Sequence, residues 1–262
     1  HCEKIVKRTF MSNVDKINRQ VYGSDATVQA YGKAFELQKA ELTIIEILKS
    51  QLSRMRMLDI GIGGGRTTMH LASSVKEYTG IDYSESMIAA CRKKFPDDMS
   101  NKVFRSMDVR DMNDLAEHSF DFVLFSYNGI DYMPHEDRLK SFNQIKRVIK
   151  PGGYFCFSSH NFNYLEHYVH VPLCRNPMRW WQMMNRSWEV RKKMKVKKQI
   201  NHAIISDGGE EFRVRTYYSK PLEQIQQLNN SGFINVRVFL EQTGREVQDQ
   251  EHVLGSRGDP HV

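Results

Sequence analysis

The segment Leu58-Asp59-Ile60-Gly61-Ile62-Gly63-Gly64-Gly65-Arg66 constrains this chain more than any other. An apolar run (Met55, Met57, Leu58, Ile60) leads into an acid, a glycine cluster and then a helix-like stretch from Thr67. That order spells strand, tight turn, helix start. Glycines permit positive φ and let a ligand approach the main chain. The helix N-terminus beyond them offers unpaired N–H groups to a negatively charged ligand. A loop of this kind holds a nucleotide-type cofactor.

Spacing narrows the choice. A dinucleotide fingerprint requires G-x-G-x-x-G, with the third glycine allowing close helix–strand packing. Gly61 and Gly63 fit, but Arg66 stands at the third position, which weakens a nicotinamide reading. A phosphate-binding P-loop ends in Lys followed by Ser or Thr, and neither pair follows these glycines.

The rest of the chain sets the frame. Leu37, Ala40, Ile44, Ile47 and Leu48 recur at helical spacing before the loop, and Met69, Leu71 and Ala72 after it. Tyr78–Asp82 and Val103–Asp108 read as short strands ending in acids. Ser86–Phe95 reads as a helix between them. Phe120–Phe125 is almost wholly apolar, as a central parallel strand is. Leu139, Phe142, Ile145, Val148 and Ile149 give a helix core face that Lys150-Pro151-Gly152-Gly153 stops. Tyr154–Ser158 is then a fifth strand. Alternation of this kind predicts an α/β fold: a doubly wound, Rossmann-like, mostly parallel sheet with helices on both faces. In such sheets ligands bind beyond the carboxyl ends of the strands, where these acids lie.

The pattern changes near Asn161. Residues 162–218 show no βαβ signal and are read as a cap inserted after the fifth strand. They carry Trp180, Trp181, Trp188 and a basic run of Arg191, Lys192, Lys193, Lys195, Lys197 and Lys198. The tryptophans either line a pocket or form the cap's own core, and at least two of the three are expected in that core. The basic run reads as a solvated face or an attractor of anions. Lys220-Pro221 opens a helix ending at Gly232, and Phe233–Leu240 is expected as a sixth strand. The resulting division is 1–53 as an N-terminal lid region, 54–161 as the binding core, 162–218 as the cap, and 219–262 as a helix and strand completing the core.

The acid-x-Gly-x-Gly order of Asp59, Gly61 and Gly63, followed by strand-end acids at Asp82 and Asp108, resembles class I S-adenosylmethionine (SAM)-dependent methyltransferases of small-molecule type. The resemblance covers roughly residues 20–161, and 216–240 loosely. It implies that Asp59, Gly61 and Gly63 lie under the methionine part of SAM. It places Asp82 on the ribose hydroxyls, where an acceptor-only carboxylate can take two donors. It brings Asp108 and the Val109 N–H to adenine and packs Tyr83 and Met87 on ribose and ring. Tyr22 and Tyr31 would close over the cofactor from the N-terminal region. Ser126 joins the cofactor shell, and Tyr127, in the segment that approaches the acceptor, is a candidate catalytic residue. His160, after the fifth strand, is the candidate general base. SAM is the implied donor and S-adenosylhomocysteine the product.

The acceptor segment Ser126-Tyr127-Asn128-Gly129-Ile130-Asp131 lacks both the Asp/Asn-Pro-Pro-aromatic motif of amino methylases and the Pro-Cys nucleophile of cytosine C5 methylases. Methyl transfer to O or N of a small molecule, a natural product or sugar derivative, is therefore expected. An anionic or aromatic acceptor would suit the cap. An RNA or protein methyltransferase using residues 191–198, and a non-catalytic SAM-binding protein, are the alternatives. Nucleic acid is disfavoured as a partner, since a net charge of +7 is modest. No apolar run reaches the roughly 18–20 residues of a membrane span, so no membrane partner is expected. His135, His167 and His170 lack metal-ligand spacing, so no metal is expected. Cys2, Cys91, Cys156 and Cys174 form no C-x-x-C pair, in keeping with reduced thiols in the cytoplasm. No leader is visible, although a chain opening on His1 is compatible with a removed one. Acceptor identity and oligomeric state are not written in these motifs.

Overall fold

The structure, a computed structural model, describes residues 13–22, 36–95, 101–172, 175–196 and 199–247. Helix α1 (Asn13–Tyr22) and helix α2 (Lys39–Leu52) precede the sheet. Strands β1 (Arg56–Ile60), β2 (Glu77–Asp82), β3 (Lys102–Ser106), β4 (Phe120–Phe125) and β5 (Ile149–Phe157) pair in the order β3-β2-β1-β4-β5. Every pairing is parallel. Helices α3 (Arg66–Leu71) and α4 (Glu85–Lys94) follow β1 and β2, and α5 (His135–Val148) leads into β5. The chain leaves β1 for β2 on one side and later returns to lay β4 on the other. The crevice between these two directions is where open α/β sheets bind ligands.

Strand periodicity divides the core. Leu58, Ile60, Val123 and Phe125 point to one face and pack with Phe142, Ile145 and Val148 of α5. Met57, Tyr78, Phe122 and Leu124 point to the other and pack with Leu48 and Leu52 of α2, Leu71 of α3, and Ile88 and Cys91 of α4. The α2 periodicity holds at Leu48, whereas Ile47 turns to solvent.

Two strand expectations change. Ile149 does not close the helix before it but starts β5, pairing with Phe120, while Tyr154 pairs with Phe122. The residues between bulge out of register, with Gly152 at φ 77°. Phe233–Leu240 does not add a sixth strand to the sheet. Asn235 at φ 56° breaks the extended backbone, and only β9 (Val238–Phe239) forms, in an antiparallel hairpin with β10 (Glu246–Val247). Phe233 and Val236 still pack on the main core, which explains their apolar pattern.

After β5 the chain forms β6 (His160–Asn161), a 3₁₀ turn over Phe162–Val169, and the long helix α6 (Pro177–Lys195), capped by Asn176. Strands β7 (His202–Ile205) and β8 (Thr216–Ser219) join β6 in a small sheet of order β6-β8-β7. This region has its own core of Phe162, Leu165, Val190, Ala203, Ile205 and Tyr218. Helix α7 (Pro221–Asn230) opens on proline at its first turn, as expected. The tryptophans depart from expectation. None is in that core: Trp180, Trp181 and Trp188 are 41%, 60% and 61% exposed.

Candidate functional site

The ends of β1, β2, β3 and β4 surround a cleft of about 1150 Å³, measured out to open solvent. Its floor is the glycine loop. Gly61 and Gly63 have φ of 65° and 50°, and Gly61 N and Ile62 N both donate to Ile81 O, at 2.8 and 3.2 Å. A Cβ on Gly61 would meet the Phe125 ring at 3.0 Å, so a side chain there would be both strained and crowded.

Asp82 closes the β2 end. Its carboxylate accepts from Gly63 N at 3.0 Å and Ser84 N at 2.9 Å, pinning the loop to the start of α4. Burial raises its pKa, against the pull of those two N–H groups and the Arg19 charge. Tyr83 and Met87 line the adjoining wall with Met107 and Val109. Across from them, Asp108 is held by Arg110, from Nε at 2.9 Å and Nη2 at 2.6 Å, and by Arg19 of α1. Burial alone would raise the Asp108 carboxyl. The Arg110 hydrogen bonds and both arginine charges outweigh it and hold the group below its ordinary range. The Arg19 guanidinium lies 4.6 Å over the Tyr83 ring. Neighbouring Asn18 fastens α1 over the cleft, donating to Tyr132 O at 2.9 Å and Arg215 O at 2.8 Å.

The opposite wall is built on a buried cation. Arg66 donates to Glu41 at 2.7 and 2.6 Å, to Ser126 Oγ at 2.7 Å and to Glu36 O at 3.1 Å. Ser126 Oγ also donates to Glu41. Tyr127, 48% exposed with φ 55°, lies under the Arg66 guanidinium at 5.1 Å. Gly129 follows with no room for a Cβ, which would sit 2.4 Å from the Phe125 ring.

The structure thus brings Gly61, Gly63, Asp82, Tyr83, Met87, Asp108, Val109, Ser126 and Tyr127 around one cleft. Asp59 is not among the lining residues. It is 1% exposed beneath the loop, accepting from Thr67 Oγ1 at 2.5 Å and Tyr78 OH at 2.6 Å. Its odd position on β1 turns it toward the α2–α3–α4 face, where it braces the helix start and touches no ligand space. Burial pushes its pKa up to about 6, against the Thr67 and Tyr78 hydrogen bonds. His160 also lies outside the lining, 8% exposed, with Nδ1 2.8 Å from Asp131 Oδ2 and its ring edge-on to lining residue Tyr132. Asp131 is fully buried and bonded as well to Arg138 and Ser159 Oγ. The Tyr22 side chain and Tyr31 lie outside the described residues. Trp180, Trp181 and Trp188 do not reach the cleft.

Sequence reading missed Asn18, Arg19, Glu41, Arg110, Tyr132 and Met133. One signal was available: a cation in the first turn of a helix opposes the dipole and needs an acid partner, which for Arg66 is Glu41. Among the described residues no helix is long and apolar enough to cross a membrane.

Residues 57–153 match a family model described as "Methyltransferase domain". A ubiquinone biosynthesis O-methyltransferase of Alkalilimnicola ehrlichii is 30% identical over 112 residues, 43% of this chain and 44% of that protein. The chain spans less than half the length of the first curated relatives it matches, 42% and 44%. Among solved structures, a SAM-dependent methyltransferase from Mesorhizobium loti superposes with a TM-score of 0.56 at 16% identity, over 85% of this chain and 94% of that one. Phosphoethanolamine N-methyltransferase 2 of Haemonchus contortus, in complex with SAM, gives 0.54 at 19% identity, over 86% of this chain and 45% of that one. At these identities the likeness is one of fold.

Proposed function

We propose that this chain, whose residues 57–153 match a methyltransferase domain, is a class I SAM-dependent methyltransferase that methylates an oxygen or nitrogen of a small-molecule acceptor, releasing S-adenosylhomocysteine. The observation that carries this reading is the pairing of Asp82 with the Gly63 and Ser84 N–H groups at the mouth of the glycine loop, with Asp108 facing it across one cleft. The residues present suit SAM. The Asp82 carboxylate offers acceptors to a diol, Met87, Met107 and Val109 offer an apolar wall to a flat ring, and the glycine loop leaves space where a Cβ would intrude.

SAM supplies an electrophilic methyl group on a sulfonium when bound. The chain's own part is to position and desolvate the reactants. Tyr127, Tyr132 and Met133 form the wall on the acceptor side, and α1 roofs the cleft through Asn18 and Arg19. For a hydroxyl acceptor we propose His160 as the base; it lies behind the lining residue Tyr132, so this role requires the acceptor to reach past that ring. Asp131 orients the imidazole through Nδ1. Natural products and sugar derivatives are the proposed acceptors, in keeping with the missing base-methylase motifs. The ubiquinone biosynthesis O-methyltransferase that part of this chain resembles agrees with a small-molecule acceptor.

Calorimetric titration with SAM, S-adenosylhomocysteine and NAD tests the reading. Micromolar binding of the two sulfur ligands, abolished in Asp82→Ala, is expected. NAD binding instead, or no binding of any, refutes it.

A further inference from the structure

Helix α6 carries an exposed stripe that the cleft does not use. Met178, Trp181, Met184 and Trp188 recur at helical spacing on one side of the helix, and they are 65%, 60%, 42% and 61% exposed. The opposite side, with Ser187 and Val190, is buried against the small sheet's core. Soluble domains seldom leave so many large apolar side chains contiguous without an occupant. Lys192 and Lys195 continue the stripe into the last turns, and Lys192 Nζ lies 3.3 Å from the centre of the Trp188 ring. Across the helix there are six cationic residues against one acid, Glu189, and that acid is taken up by Arg215 at 3.1 Å.

We propose that α6 is an interfacial helix that docks this protein onto an anionic lipid bilayer. Indole rings favour the boundary between headgroups and acyl chains, being apolar with one polar edge. Lysines on the same stripe can bury their stems while their ammonium groups reach lipid phosphates. Charge selects the bilayer over a second copy of the chain. In a symmetric contact through this helix, a second copy would bring the same six cations and only Glu189, already paired with Arg215, to meet them. The absence of a spanning helix does not bear on the proposal, because an interfacial helix lies in the plane of the surface. The expectation from sequence that no membrane partner exists rested on spans alone.

All three tryptophans of the chain are in this helix, so selectively excited tryptophan emission reports on α6 alone. The test is sedimentation of the full chain with vesicles of phosphatidylcholine, with and without phosphatidylglycerol. Binding to the anionic vesicles is expected, with a blue-shifted emission and quenching by brominated acyl chains. It should weaken at least ~10-fold in both Trp181→Ala/Trp188→Ala and Lys192→Glu/Lys195→Glu and fall with added salt. These residues are exposed, so circular dichroism of the variants should match the parent. Any of four results overturns the proposal: no binding to anionic vesicles, equal binding to neutral ones, binding unchanged in both variants, or a parent dimer that the tryptophan variant converts to monomer. SAM binding unchanged throughout separates this outcome from the fate of the proposed activity.

Discussion

Asp59 gives the sharpest test of the electrostatics under the glycine loop. In the unfolded chain its carboxyl titrates near 3.8; in the folded chain burial moves it to about 6. Below both values the group is protonated in each state and contributes nothing to pH dependence. As pH rises from about 4 to 6, the unfolded chain releases its proton first, so the folded state binds more protons and loses stability. Above about pH 6.5 the penalty is complete. At about 1.4 kcal/mol per pH unit the gap between the two values is worth about 3 kcal/mol. Asp59→Asn removes the titration and keeps an oxygen that can accept from Tyr78 or Thr67. Any hydrogen bond it loses is a constant offset, the same at every pH. The assay is urea unfolding of the two proteins between pH 4 and pH 7.5, and the quantity is the difference between their stabilities. The parent should lose about 2.4 kcal/mol relative to the variant across that range, because the unfolded carboxyl is already partly ionised at pH 4, and nearly all of it before pH 6.5. A difference that stays flat, or rises with pH, would refute the reasoning and require an ionised Asp59 stabilised by its neighbours.

Glu41→Ala leaves the Arg66 guanidinium buried without its carboxylate and should cost about 3–5 kcal/mol in denaturant unfolding; a loss below 1 kcal/mol would mean that water replaces Glu41. Gly65→Ala forces a side chain into φ 80° and places its Cβ 2.4 Å from the Phe95 ring, so thermal melts should show about 2–4 kcal/mol of destabilisation, while unchanged melting would contradict the crowding. With a hydroxyl acceptor, His160→Ala should lower kcat by roughly 10²–10⁴-fold with SAM affinity unchanged. A loss of SAM affinity or of folding stability in step with the rate would make His160 a structural partner of Asp131.

The sheet was legible because its signal is local. Phe120–Phe125 is an unbroken apolar run, and Asp82 and Asp108 stand where strand runs end, so fold and cleft followed from order along the chain. Asp59 shows where such reading stops. Motif position places it beside the ligand, but the period of two along β1 turns it to the other face, and nothing in the motif states which face the cleft opens on. Arg66 marks a second boundary. Its partner Glu41 lies 25 residues earlier, on another helix, and a pairing set by tertiary packing leaves no spacing rule. The tryptophans mark a third. Composition makes them core residues, and only the orientation of α6 on its own small core exposes them.

The two arginines on Asp108 have a consequence for how the cleft fills. Their charges keep that carboxylate ionised, although its side chain is still 29% exposed. A ligand amine arriving there meets an acceptor already paired with two arginines, and it competes with Arg19 as well as with solvent. Binding at this point is then an exchange of partners, so entry of the ligand and release of α1 from Asp108 become one event. The lifetime of the bound state is tied to how fast a single helix can let go and return.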